Sequence, residues 1–214
     1  MDNSFKISEA ISVGWKTTLD NLSSVIGIVL MYVGLIMLPS VFSLVYRDNV
    51  LILYLCTVVS FVLSVALTPG FISAGLKLYN GEKVNVNTLF TGVKYFTNYF
   101  LSTVCYSAIV FIGTFLLIIP GIIWSIQFGY YSYLIVDKNM RPIEALETSS
   151  NITQGKKWQL FCFSLLLFLI NLAGYLCIFV GCLITVPISL FATIFVYKHL
   201  VAGIENEESQ VQEV

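Results

Sequence analysis

Six apolar runs, almost free of charge, dominate this chain and leave very few ways to fold it. Residues 22–46, 101–119, 121–136 and 158–180 contain no Asp, Glu, Lys or Arg; residues 50–78 and 183–201 hold one lysine each, near their ends. A helix rises 1.5 Å per residue, so about 20 apolar residues cross the ~30 Å hydrocarbon layer of a bilayer. Hydrophobic residues make up 57% of the 214 positions and charged residues 11%, against about a quarter charged in soluble domains. The sequence therefore predicts an all-α polytopic membrane bundle of six spans in a single domain, 1–203, with no room for a separate soluble catalytic domain. Eleven basic residues against twelve acidic ones leave no electrostatic footprint for nucleic acid.

Polar segments separate the runs. Arg47-Asp48-Asn49 and Tyr79-Asn80-Gly81 read as turns, and Pro120-Gly121 as the turn joining the third and fourth spans. No charge marks the far side of that last turn, so a re-entrant pair is its rival reading. Three shorter segments have helical amphipathicity. Ile7, Ile11, Trp15 and Leu19 form one stripe; Val86, Leu89, Phe90, Val93 and Phe96 a second; Ala145, Leu146, Ser149 and Ile152 a third, behind Pro142 at a helix start. They read as three amphipathic surface helices, before the first, third and fifth spans. Gly14, Gly92 and Gly155 sit at comparable places in or just after them, and Pro69, Pro120 and Pro187 interrupt the second half of each unit, so the chain reads as three repeated units. Ten basic residues, from Lys6 to Lys198, fall on the side of both termini, while Arg47 alone faces the other; the positive-inside rule makes the termini and surface helices cytoplasmic. The acidic tail, 204–214, reads as disordered.

Candidate lipid or partner contacts are Trp15, Lys16, Lys94, Lys156, Lys157 and Trp158, which pair a cation with an aromatic or aliphatic neighbour as expected at a headgroup boundary. Candidate cavity or hinge positions are Pro69, Gly70, Pro120, Gly121, Gln127, Asn171 and Pro187; broken helices mark transporter sites, and Gln127 and Asn171 are the deepest polar side chains. Interhelical hydrogen bonding is their plainer role. Ala173, Cys177 and Gly181 form a small-residue stripe, and Gly70 with Ala74 a shorter one, suited to close helix packing within the chain or between copies. Asp137, Glu144 and Glu147 lie near Lys138, Arg141, Lys156 and Lys157, and ion pairs pinning the third surface helix are expected there. Cys56, Cys105, Cys162, Cys177 and Cys182 read as small buried apolar side chains, and His199 as an interfacial residue. No metal, cofactor or catalytic set is indicated.

Ile119-Pro120-Gly121, Asp137, Glu144-Ala145-Leu146, Ser149 and Gly155-Lys156-Lys157-Trp158, followed by Pro187 and Tyr197, resemble a large, poorly characterised family of six-helix bacterial membrane proteins. That family is related to the membrane domain fused to some glycerophosphodiester phosphodiesterases. The resemblance covers the second half of the chain well and implies a bacterial cytoplasmic membrane protein. It carries no phosphodiesterase activity across, since a lone His199 cannot supply that chemistry. The expected function is a non-catalytic one: binding membrane lipid, a membrane-protein partner or a second copy through the surface helices. The alternatives are a transporter with a cavity at the proline-broken helices and a lipid-headgroup enzyme acting through Asp137 and Glu144.

Overall fold

The computed structural model describes residues 5–46, 48–176 and 181–212, with side chains to Glu205. Arg47, Cys177 and residues 213–214 of the tail thus lie outside the described residues, as do residues 178–180 of the fifth expected span. The chain is helical: α1 (Ile7–Asp20), α2 (Leu22–Val45), α3 (Val50–Tyr79), a 3-10 helix (Val86–Tyr95), α4 (Phe96–Leu116), α5 (Ile118–Phe128), α6 (Tyr131–Lys138), α7 (Pro142–Ile152), α8 (Lys157–Leu176) and α9 (Cys182–Gln212). Five helical segments are long and apolar enough to cross a membrane: Leu22–Val45, Val50–Tyr79, Val86–Leu116, Lys157–Leu176 and Cys182–Glu205. This is a multi-pass helical membrane protein.

The fourth expected span, 121–136, does not form one helix. It falls across α5 and α6, of 11 and 8 residues, which reach only about 16 Å and 12 Å and cannot cross a bilayer singly. The two nevertheless return along α4. Tyr106 donates to the Ser125 carbonyl at 3.3 Å, Tyr131 and Thr103 share a hydrogen bond of 2.9 Å, and Asn98 donates to the Met140 carbonyl at 3.4 Å.

Turn chemistry explains the element ends. The Asn49 side chain accepts the amides of Leu51 and Ile52 at 3.1 and 3.3 Å and so starts α3. Gly81, at φ +79°, closes the other end, where the Glu82 amide reaches back to the Lys77 carbonyl at 2.9 Å. The turn between α4 and α5 is the single extended residue Leu117, not Pro120-Gly121. Pro120 sits instead in the first turn of α5, where its missing N–H leaves no helical carbonyl unpaired. Beyond Val201, α9 continues through residues 204–212, where composition predicts disorder. That stretch contains no Gly or Pro, and a Lys138–Glu205 ion pair ties its start to α6.

The molecule has two zones. Three hairpins, α2–α3, α4–α5 and α8–α9, carry most of the exposed apolar side chains, among them Leu38, Val45, Leu51, Phe115, Ile119, Phe168 and Leu176. The buried core lies at the other end: the C-terminal half of α3, α6 and residues 188–201 of α9, with α1, the 3-10 helix and α7 packed onto them. Exposed apolar surface of this extent is a liability in water and is satisfied by lipid.

Candidate functional site

The three short helices are built into the core. In α1 the buried face is Ala10, Gly14 and Thr18, small residues lying against α9. A β-carbon on Gly14 would stand 2.5 Å from the Ile188 carbonyl oxygen. The predicted stripe has a different place: Trp15 is 53% and Leu19 48% exposed, and Lys16 is exposed beside them. The second short segment is a 3-10 helix, and its buried residues Leu89, Gly92 and Tyr95 recur every third position, as a threefold winding requires. It lies against α3 so closely that a β-carbon on Gly70 would meet the Leu89 carbonyl oxygen at 1.8 Å, and one on Gly92 the Gly70 amide at 2.3 Å. Phe90, Val93 and Lys94 remain exposed, and the Lys94 ammonium lies 4.5 Å from the Tyr95 ring centroid.

The third short helix, α7, buries Ala145, Leu146, Ser149 and Ile152 as its stripe predicts. Its hydroxyls repair the break between α5 and α6. Ser149 Oγ accepts the Tyr130 amide at 3.1 Å and donates to the Gln127 carbonyl at 3.0 Å; Thr153 Oγ1 donates to that carbonyl at 3.1 Å. The Gln127 side chain donates to Ser150 Oγ and accepts from Lys157 Nζ at 2.8 Å. Lys156 and Lys157 are half-buried at the start of α8, reached through Gly155 at φ +76°, and Trp158 beside them is 77% exposed.

The other candidate residues do not gather into one site. Pro69 and Pro187 are buried against neighbouring helices, whereas Pro120 is half-buried near the hairpin end. Gly121 packs on Thr114 of α4, where a β-carbon would meet Thr114 Oγ1 at 2.2 Å. Asn171 bridges α8 to α9, donating to Ser189 Oγ at 2.7 Å. Of the small-residue positions, Ala173 is exposed and Gly174 makes the close approach to Thr185 and Gly181; Gly70 and Ala74 are buried within the chain. Cys56, Cys105, Cys162 and Cys182 are half-exposed thiols, not buried ones.

The carboxylates separate as well. Asp137 accepts from Tyr197 at 2.9 Å and from Lys198 at 3.0 Å, joining α6 to α9. Glu144 accepts the Arg141 amide at 3.3 Å and caps α7. The ion pairs expected to pin α7 therefore pin α9. Among the described residues no three His, Cys, Asp or Glu side chains group to hold a metal. The His199 ring lies between Phe5 and Phe195, its Nε2 without a hydrogen-bond partner among the described residues.

Two cavities flank α5. A groove of about 380 Å³ lies between α5 and α8, lined by Ile119, Ile122, Ile123, Ile126, Phe161 and Trp158 with Lys157 at its rim. A second cavity of about 300 Å³ is bounded by Tyr106, Ser125, Ile126, Tyr130, Ser164 and Thr193, among others. Ile126 belongs to both. Sequence reasoning missed the groove because α5 and α8 meet only in the folded chain, although Lys157 and Trp158 were legible as an interfacial pair. No protein family model, curated protein or solved structure matches this chain.

Proposed function

We propose that this is a non-catalytic, six-pass protein of the bacterial cytoplasmic membrane that binds anionic lipid through the cytoplasmic faces of its short helices. The observation that carries the reading is the two-sidedness of those helices. α1 and the 3-10 helix each bury one face in the core, yet Trp15 and Leu19 on the first and Phe90 and Val93 on the second stay exposed beside Lys16 and Lys94; past α7, whose outer face carries Ile143 with Glu144 and Glu147, Trp158 stays exposed beside Lys157 at the start of α8. Helices that served only to hold the core together would be free to present a polar outer face. An apolar ring or chain beside a cation instead suits the boundary between acyl chains and phosphates. Because α6 ends beside the start of α4, α5 and α6 count together as the fourth pass, which keeps both termini on one side.

The short helix and hairpin are read as one unit repeated three times. Pro69, Pro120 and Pro187 are each followed five residues later by a small residue, Ala74, Ser125 or Ala192, and ten residues later by a tyrosine, Tyr79, Tyr130 or Tyr197. Glu9-Ala10 corresponds to Glu144-Ala145, Gly14 to Ser149 and Thr18 to Thr153; in this register Gly155 is not the counterpart of Gly14 but lies in the turn after Thr153, at φ +76°. Both threonines are fully buried and donate to the carbonyl four residues back, at 2.7 and 2.9 Å. The units close on one another in a ring: each short helix packs on the proline-bearing arm of the preceding unit, α1 on α9, the 3-10 helix on α3, and α7 on α5 and α6.

The test is lipid retention. The protein is extracted in mild detergent, equilibrated with equal amounts of phosphatidylglycerol and phosphatidylethanolamine, and the bound lipid is quantified. A basic side chain near an anionic surface contributes about 1 kcal/mol, so the Lys16→Gln, Lys94→Gln double variant should lose roughly tenfold or more of the preference for phosphatidylglycerol. An unchanged preference sinks the collar reading, and retention of a second protein chain in place of lipid would make the exposed faces a protein interface.

A further inference from the structure

We infer that the groove between α5 and α8 is a discrete site for one anionic phospholipid, its phosphate on Lys157 and an acyl chain along the isoleucines of α5. This rests on the lipid-binding reading above, and sharpens it from a surface to a pocket. Three observations support it.

The first is an unpaired cation. Lys157 is half-buried at the groove rim and no carboxylate among the described residues pairs with it; its partner is the neutral Gln127 amide. Because the Gln127 NH2 group is taken up by Ser150, the amide oxygen faces Lys157 and holds the ammonium at the mouth. A cation partly withdrawn from water without a counter-charge is costly, and an incoming phosphate would supply that charge. Lys157 is also the first residue of α8, so the positive end of a 20-residue helix points to the same place.

The second is the match of chemistry along the groove. Below the cation the walls are Ile119, Ile122, Ile123, Ile126 and Phe161, with Trp158 beside them and no charged side chain besides Lys157 itself, which fits a hydrocarbon chain. At Ile126 the groove adjoins the second cavity, whose Ser125, Tyr130, Ser164 and Thr193 carry hydroxyls but no charge. Neutral hydrogen-bonding groups that adjoin the chain at Ile126 suit the glycerol ester region.

The third is the contrast between two seams. Under the threefold reading, the packing of α9 on α2 and α3 is the counterpart of the packing of α5 on α8 and α9. In the former, Ile28, Val29 and Gly75 occupy the places that Phe163, Ser164 and Thr193 hold in the latter, and the remaining gap is about 10 Å³ with apolar walls. The counterpart seam, which adjoins the groove at Ile126, keeps about 300 Å³ with partly polar walls. One seam is filled by the chain and the other stays open beside the groove.

Native mass spectrometry of the protein equilibrated with phosphatidylglycerol and phosphatidylethanolamine tests this. The parent should retain one phosphatidylglycerol through mild activation. Lys157→Gln should reduce its occupancy about tenfold, and so should Ile122→Trp, which fills the groove from a position already 41% exposed and leaves Lys157 in place. If Ile122→Trp melts below the parent, Ile119→Trp, at a 71% exposed position, replaces it. The Lys16→Gln, Lys94→Gln variant should keep this single lipid even where it loses the general anionic preference, which separates the pocket from the collar. Unchanged occupancy in both groove-filling variants overturns the site, as does a parent that retains no lipid selectively.

Discussion

Replacing Gly70 with alanine should unfold or severely loosen the protein, at a cost of about 3 kcal/mol or more. The new methyl group would stand 1.8 Å from the Leu89 carbonyl oxygen and 2.6 Å from its carbon. Both are backbone atoms, so no side-chain rotation relieves the clash; α3 and the 3-10 helix would have to separate. Separation would expose Leu89, which is fully buried, and uncover Gly92, which sits on the Gly70 backbone. Gly27→Ala and Gly34→Ala are the controls. Nothing lies within 4 Å of a β-carbon at either position, and alanine in a helix interior is better than glycine by roughly 0.5–1 kcal/mol. Thermal unfolding in detergent should therefore place Gly70→Ala far below the parent and the controls at or slightly above it. Equal melting of all three would mean that the 3-10 helix is not locked onto α3 as described.

This contact also shows where sequence reasoning reaches its limit. The alternation of apolar and polar stretches made the helical membrane class and most hairpin ends readable, because desolvating backbone in lipid permits little else. The winding of residues 86–95 was not readable. Val86, Leu89, Phe90, Val93 and Phe96 suit an α-helix, but Leu89, Gly92 and Tyr95 are the buried residues, and only a three-residue winding puts them on one line. Tertiary packing overrode local periodicity. The same holds for α1: its large apolar residues drew attention, whereas Ala10, Gly14 and Thr18 form the face that packs. Small residues give a weak hydrophobic signal and permit the closest approach of two backbones.

Proline was informative in position and misleading in role. Pro120-Gly121 marks the neighbourhood of the α4–α5 turn, but the chain reverses at Leu117 and the proline serves as a helix-start residue. Gly121 earns its place through close packing on Thr114. The discontinuity in the fourth pass lies further on, at Gly129 and Tyr130, in a run with no breaker stronger than a single glycine. What satisfies the broken backbone there is supplied from elsewhere in the chain, by the hydroxyls of α7.

Ser149→Ala should accordingly destabilise the protein by about 2 kcal/mol, and Ser149→Ala with Thr153→Val by about 3–4 kcal/mol. A backbone donor left unpaired in a buried setting costs roughly 1–3 kcal/mol, and Tyr130, 6% exposed, loses the acceptor of its amide when Ser149 Oγ is removed. The Gln127 carbonyl keeps Thr153 Oγ1 in the single variant and loses both hydroxyl donors in the double. The loss should be local before it is global, because these bonds join α7 to the junction of α5 and α6. Hydrogen exchange is the direct measurement: peptides covering residues 125–133 should exchange faster in Ser149→Ala, while peptides from the α2–α3 hairpin stay as protected as in the parent. Gln127 also orients Lys157, so the variant that frees the junction should weaken phosphatidylglycerol retention in step with the faster exchange. Unchanged exchange at residues 125–133 would show that the break between α5 and α6 stands without α7, and that the hydroxyls of Ser149 and Thr153 merely lie beside it.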